Sequence, residues 1–185
     1  MRIARIVLQV CAVAMFLFCI TAKAQDADKQ KLIDIENAFA KTETPGPEAA
    51  AVCKQYMYEG PLNQLTFTGR VGTLTKSRIM DICSKPDPSD PDVKSSAKIS
   101  DVHVEIYGQT ALVTYKNLDV DTGHKDAALN TTFAAGCMDT FVKQKGAWFI
   151  IGNACSPSAA LPAAEWTALK KARAEEPKDI QQAFH

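Results

Sequence analysis

The stretch Thr132–Ser156, TFAAGCMDTFVKQKGAWFIIGNACS, most constrains what this chain can fold into. It reads as two long strands joined by a polar turn, Lys143-Gln144-Lys145-Gly146-Ala147. Gly146 stands where a three-residue hairpin loop needs a left-handed residue. Before the turn, Met138, Thr140 and Val142 alternate with Asp139, Phe141 and Lys143; after it, Trp148, Ile150 and Gly152 alternate with Phe149, Ile151 and Asn153. Successive strand side chains point to opposite faces, so the second strand is apolar on both. A sheet with one wet face does not require that. The pattern predicts cover on both faces: helices on one, and a second copy of the chain or the C-terminal segment on the other.

The start of the chain has a different character. Arg2 and Arg5 precede an almost wholly apolar run from Ile6 to Ile20, and Ala22-Lys23-Ala24 is a small-x-small cleavage site. The run is short for a membrane span and suits a signal peptide cut after Ala24. Neither Cys11 nor Cys19 follows the small residue that a lipoprotein cleavage site needs. Cleavage removes Arg2, Arg5 and Lys23 and no acidic residue, leaving 18 positive against 21 negative side chains, a net charge of −3. That excess argues against nucleic acid and anionic membranes as partners. A periplasmic or secreted location follows, and an even number of remaining cysteines, Cys53, Cys83, Cys137 and Cys155, suggests disulfides. Four cysteines allow three full pairings. There is no Cys-x-x-Cys motif.

Along the remaining chain, Leu32, Ile35 and Phe39 recur at helical spacing and predict a first helix over Asp26–Thr42. Pro47 can open a second helix, stopped by Gly60-Pro61. Leu65–Thr68 is a short predicted strand and Gly69–Gly72 a turn. Thr75 is a candidate N-cap for a helix through Cys83. Ser84–Ser96 reads as a solvated loop. From Ile99 the period becomes two, through Val102-Val104-Ile106, a turn at Gly108-Gln109, and Ala111-Val113-Tyr115. After Pro157 a helix is expected near Ala163–Glu175. Helices followed by antiparallel strands make an α+β domain over residues 25–160, after a signal peptide over 1–24 and before a C-terminal helix and tail over 161–185. The antiparallel sheet must curve around the N-terminal helices, and a ligand would sit in the groove between them.

This order resembles the nuclear transport factor 2-like (NTF2-like) superfamily, the cone fold of ketosteroid isomerases and SnoaL-like polyketide cyclases, and more narrowly its exported SnoaL-like branch. The resemblance rests on Ile35-Glu36-Asn37-Ala38-Phe39, Gly69-Arg70-Val71 with Thr75-Lys76, Asp101-Val102-His103-Val104, Tyr107–Thr114, and Val142-Lys143 with Gly146–Ile151 and Ser156. It covers about Lys29 to Pro157. It implies a fold rather than an activity, because one fold hosts many. Ketosteroid isomerases carry a tyrosine in the first helix and an aspartate base near the first strand; those positions fall here at Phe39 and about Thr66. Phenylalanine cannot donate a hydrogen bond, and threonine is a poor base. Where many relatives carry a histidine before the terminal serine, this chain has Ala154.

The candidate ligand-binding residues are Tyr56, Tyr115, Asp139, Asn153 and His103. Asp139 lies in an apolar strand, so it either faces solvent or is a buried carboxylate with a raised pKa. His103 is the only histidine in a predicted strand, and no histidines are paired at ligand spacing, so no metal and no cofactor are expected. A three-residue loop leaves Cys137 diagonal to Cys155; a register shifted by two puts them directly opposite. If they pair, Cys53 and Cys83 tie the second helix to the third. If not, all four can be small buried hydrophobes. Two main readings follow. One is a non-catalytic module that binds a small apolar molecule and dimerises through the outer sheet face. The other is an isomerase, cyclase or dehydratase using Asp139, His103 or a tyrosine. A structural or assembly role is a third.

Overall fold

The computed structural model describes residues 24–65, 71–86, 88, 91–127 and 130–157. The expected signal peptide up to residue 23 and the expected C-terminal helix lie outside the described residues, as do Thr66–Arg70. The first helix, α1, spans residues 24–41 and buries Leu32 and Ile35 completely. Thr42 donates its hydroxyl to the carbonyl of Ala38 and closes the last turn. The second helix, α2 (Pro47–Tyr56), has proline in its first turn, where no amide donor is needed. The third, α3 (Lys76–Ser84), is capped by Thr75, whose hydroxyl accepts from the amide of Arg78 at 3.3 Å. A Cys53–Cys83 disulfide joins α2 to α3.

The strands are β1 (Leu62–Leu65), β2 (Val71–Leu74), β3 (Lys94–Tyr107), β4 (Thr110–Thr122), β5 (Thr131–Gln144) and β6 (Ala147–Pro157). Among the described residues they form one mixed sheet in the order β2-β1-β6-β5-β4-β3. Every junction is antiparallel except β1 on β6, which is parallel. The first strand already begins at Leu62, three residues before its pattern suggests, while residues 66–68 of the expected strand lie outside the described residues; the expected turn at Gly69–Gly72 overlaps β2 at Val71 and Gly72. The expected loop over Ser84–Ser96 ends early because β3 already pairs at Lys94 with Thr122. A bulge between Ser100 and His103, with Asp101 at φ 52°, bends β3. The helices pack on the inner face of the sheet. There Phe141, Val113 and Ala111 are fully buried, and Trp148 and Ile150 nearly so.

The hairpin departs from its simplest form in two ways that act together. The turn has two residues, Lys145 (φ 50°) and Gly146 (φ 81°), between the paired Gln144 and Ala147. Two successive positive φ values match the twist of the flanking strands. A bulge then intervenes, so that Phe141 faces Ile150 while Thr140 faces Gly152. Each feature shifts the register by one relative to a three-residue loop. Together they set Cys137 directly opposite Cys155, and the two form a disulfide.

Candidate functional site

The bulge on β6 also decides which side chains enter the groove. With strict alternation, Asn153 shares a face with Phe149 and Ile151. The extra residue reverses the parity beyond Ile150, so Asn153 joins Trp148 and Ile150 on the inner face. Gln64, Asn153, Asp139, Val113 and Val104 then form one row across β1, β6, β5, β4 and β3. Re-aiming a side chain in this way is a common use of a bulge beside a site.

Asp139 is buried, with 2% of its surface exposed. It does not face solvent. Asn153 donates from Nδ2 to its Oδ1, and Tyr115 donates from its hydroxyl to Oδ2 at 3.1 Å. The carboxyl of Glu36, reaching across from α1, makes a third hydrogen bond to it. Glu36 is equally buried, and its Oε1 has no hydrogen-bond partner. Desolvation, then the charge of Asp139, pushes the Glu36 pKa far up, to about 10. Desolvation also raises Asp139, to about 6, but the hydrogen bonds from Asn153, Glu36 and Tyr115 hold it back. Of the two carboxyls, Glu36 keeps the proton and Asp139 is the first to carry charge. The Tyr115 hydroxyl is raised beyond its ordinary range by burial and by Asp139, so it stays a neutral donor.

This cluster lies at the floor of a cavity of about 470 Å³ between the helices and the sheet. Phe39, Ala49, Met57, Ile79, Leu62 and Leu74 supply apolar walls, and the Cys53–Cys83 disulfide forms part of the helical side. Glu43 also lines it and keeps solvent contact at the mouth. Surrounding protein raises the Glu43 pKa toward 7, followed by the charges of Asp119, Asp121 and Asp139; solvent at the mouth screens part of this push.

Tyr115, Asp139 and Asn153, three of the residues singled out from sequence, therefore meet in one network. Tyr56 does not join it. Its ring packs edge-on against Phe39 at 6.3 Å, and its hydroxyl accepts from Lys31 at 3.4 Å. Nor does His103 join the network: it sits exposed on β3 beside Glu105 at 3.5 Å, outside the cavity lining. Its strand position placed it on the outer face. Phe39, standing where the isomerases have a tyrosine, is a wall. Ala154 lines the outer face of the sheet instead of the cavity. Glu36 and Glu43 were missed as site residues. Glu36 had a readable signal, because it falls inside the apolar stripe Leu32-Ile35-Phe39 as its one carboxylate.

No protein-family profile and no curated protein matches this sequence. Solved structures do. An NTF2-like superfamily protein from Salmonella enterica serovar Typhimurium is 15% identical with a TM-score of 0.58, covering 76% of this chain and 98% of that one. An NTF2-like protein of unknown function from Prochlorococcus marinus is 18% identical (TM-score 0.54), covering 72% and 94%. A proposed dehydratase of the NTF2-like family from Streptomyces avermitilis is 16% identical (TM-score 0.54), covering 74% and 99%. At these identities the likeness speaks to architecture. With its α+β order, curved sheet and inner groove, the chain has the NTF2-like fold.

Proposed function

We propose that this chain is an exported small-molecule-binding module whose ligand occupies the cavity between α1–α3 and the inner sheet face. One observation carries the reading: buried Glu36 and Asp139 meet half-buried Tyr115 and Asn153 in a polar cluster at the floor of a largely apolar cavity. Few convergent polar groups in an apolar pocket are the usual make-up of a ligand site. Tyr115, Glu36 and Asn153 all direct donors at Asp139, so in this state the cluster is closed on itself rather than poised to stabilise an oxyanion. Two disulfides fit an oxidising compartment. Native mass spectrometry of the mature protein from its own host's envelope tests the reading. A small mass released on denaturation is expected. A chain that carries none, and that gains no thermal stability from a broad small-molecule library, overturns it.

A second reading is an enzyme of isomerase or dehydratase type. It is favoured by the raised pKa of Asp139, which suits a general base near neutrality, and by the likeness to the Streptomyces protein. Deuterium incorporation at the α-carbon of small cyclic ketones, abolished in Asp139→Asn, supports it; no exchange above the buffer rate removes it.

The dimer belongs to the same proposal. On the outer face Met138, Ala154, Leu65 and Val71 make an apolar row across β5, β6, β1 and β2. Val71 is 70% exposed, and Leu65 and Met138 about 40%. A second copy seated there covers them. A monomer in sedimentation at tens of micromolar rules it out.

A further inference from the structure

We propose that the ligand of this cavity is a small organic cation: an apolar body carrying a protonated amine. The inference rests on reading the cavity as a binding site and adds the chemistry of its occupant. The first observation is the kind of charge present. Glu36, Glu43 and Asp139 line the cavity, and among the described residues no Lys, Arg or His does. Asp119 and Asp121 of β4 add further negative charge close enough to act on Glu43. An anionic ligand would meet no positive charge among these residues.

The second observation is hydrogen-bonding capacity. Glu36 Oε1 is buried and has no donor. The donors around it are committed elsewhere: Tyr115 and Asn153 both donate to Asp139, and the Glu36 carboxyl bonds the same group. Thr42 donates to its own helix. Apart from the Gln64 amide, which can donate or accept, what the floor offers is acceptors, namely Glu36 Oε1 and the remaining lone pair of Tyr115. A buried acceptor left unmatched costs free energy that an incoming N–H recovers. An ammonium brings such donors together with the charge these carboxyls lack. Among the described residues no group of three or more His, Cys, Asp or Glu could hold a metal ion. Glu36 and Asp139 meet at the floor and Glu43 stands at the mouth, with apolar walls lining the space between them. Phe39 adds an aromatic wall, and Met57 an adaptable one.

Binding a cation here displaces protons. The groups that face the cavity or act on it are Glu36 of α1, Glu43 after α1, Tyr115, Asp119 and Asp121 of β4, and Asp139 of β5. The carboxyls among them that are protonated in the empty site ionise against the ammonium.

The test uses three probes of matched body: 2-phenylethylamine, 2-phenylethanol and 3-phenylpropionate. Each is titrated calorimetrically into the mature protein at pH 7. The amine is expected to bind at least about tenfold tighter than either partner. Its apparent enthalpy should vary with the ionisation enthalpy of the buffer, reporting released protons. Glu43→Gln, a change at the solvent-facing mouth, should weaken the amine about fivefold more than it weakens the alcohol. Alcohol or carboxylate binding as tightly as the amine overturns the cation assignment while the binding reading stands. Failure of all three probes at millimolar concentration overturns the cation assignment. If a broad library also gives no binding, the binding reading falls with it.

Discussion

Two carboxylates on α1 meet the same hairpin, eight residues apart, and are treated in opposite ways. Asp28 receives Lys143 of β5, whose Nζ lies 2.6 Å and 2.7 Å from its two oxygens, and Trp148 of β6, whose Nε1 donates at 3.1 Å. The Lys143 ammonium also sits 5.5 Å from the centre of the Trp148 ring. Desolvation pulls the Asp28 pKa up, but the Lys143 and Trp148 hydrogen bonds and the Lys143 charge outweigh it, and the carboxyl ends below its ordinary value. Glu36 also meets a residue of β5, but that residue is another acid, Asp139. At one end of the contact, charge is matched and fastens the helix to the hairpin. At the other, two acids share a dry site and one must stay protonated. The clamp has a structural purpose evident in itself. The floor is costly to the fold, and such a cost is usually kept for function.

The largest effect is expected from making the clamp resemble the floor. Lys143→Glu sets a second carboxylate against Asp28, whose side chain is only 25% exposed. A loss of about 3 kcal/mol is expected, or a fall in melting temperature of roughly 10 °C at pH 7. Lys143→Met should fall between this variant and the parent, because it removes attraction without adding repulsion. Equal melting temperatures for all three proteins would show that the clamp fastens nothing.

The reverse change, making the floor less acidic, should stabilise the protein. Glu36→Gln retains a donor for Asp139 and removes one titrating group. Glu36 and Asp139 both have folded pKa values above their unfolded ones. Below about pH 4 both states hold these protons, and the contribution to stability is complete. As the pH rises the unfolded chain releases protons that the folded chain retains, so stability declines. The Asp139 part is lost by about pH 6, and the Glu36 part continues to fall toward about pH 10. Glu36→Gln should therefore raise the stability more at pH 8 than at pH 5, by about 1–3 kcal/mol at the higher pH, seen as a larger rise in melting temperature there. Scanning calorimetry at the two values decides it. A pH-independent difference contradicts a protonated Glu36.

How far these features were legible in the sequence follows from their range. The starts of α2 and α3 and the Thr75 cap depend on neighbours within a few residues, and they could be read from pattern, whereas α2 ends at Tyr56, ahead of the expected stop at Gly60-Pro61. So could the doubly apolar second strand. The hairpin register could not, because it is the product of a two-residue turn and a bulge four residues on. Either alone misplaces Cys155 against Cys137, and only their sum aligns them. Asn153 was singled out without a reason to point inward, since strict alternation sends it outward. His103 shows the opposite failure: a residue type suited to chemistry on a strand whose pleat turns it away. The parallel β1–β6 contact joins segments nearly ninety residues apart, and no local pattern carries it. Glu36 was legible but passed over, because one acid in an apolar stripe reads as a helix-surface residue until the strand opposite supplies Asp139.

The smallest effect separates the two sites most finely. Tyr115→Phe and Trp148→Phe each remove one hydrogen bond to a carboxylate, the first at Asp139 and the second at Asp28. Both bonds favour the charged form, so both losses raise the carboxyl midpoint. At the clamp Lys143 remains and still compensates most of the charge. At the floor no cation remains, and Asp139 has only Asn153 and Glu36 left. The midpoint of Asp139 should therefore rise by about one unit in Tyr115→Phe, and that of Asp28 by less than half a unit in Trp148→Phe, as followed by carboxyl carbon resonances against pH. Reading midpoints rather than melting temperatures matters, because replacing the buried indole also leaves a cavity whose cost is unrelated to charge. If Asp28 moves as far as Asp139, its charge depends on Trp148 as much as on Lys143, and the contrast between a cation-matched and a hydrogen-bond-matched carboxylate disappears.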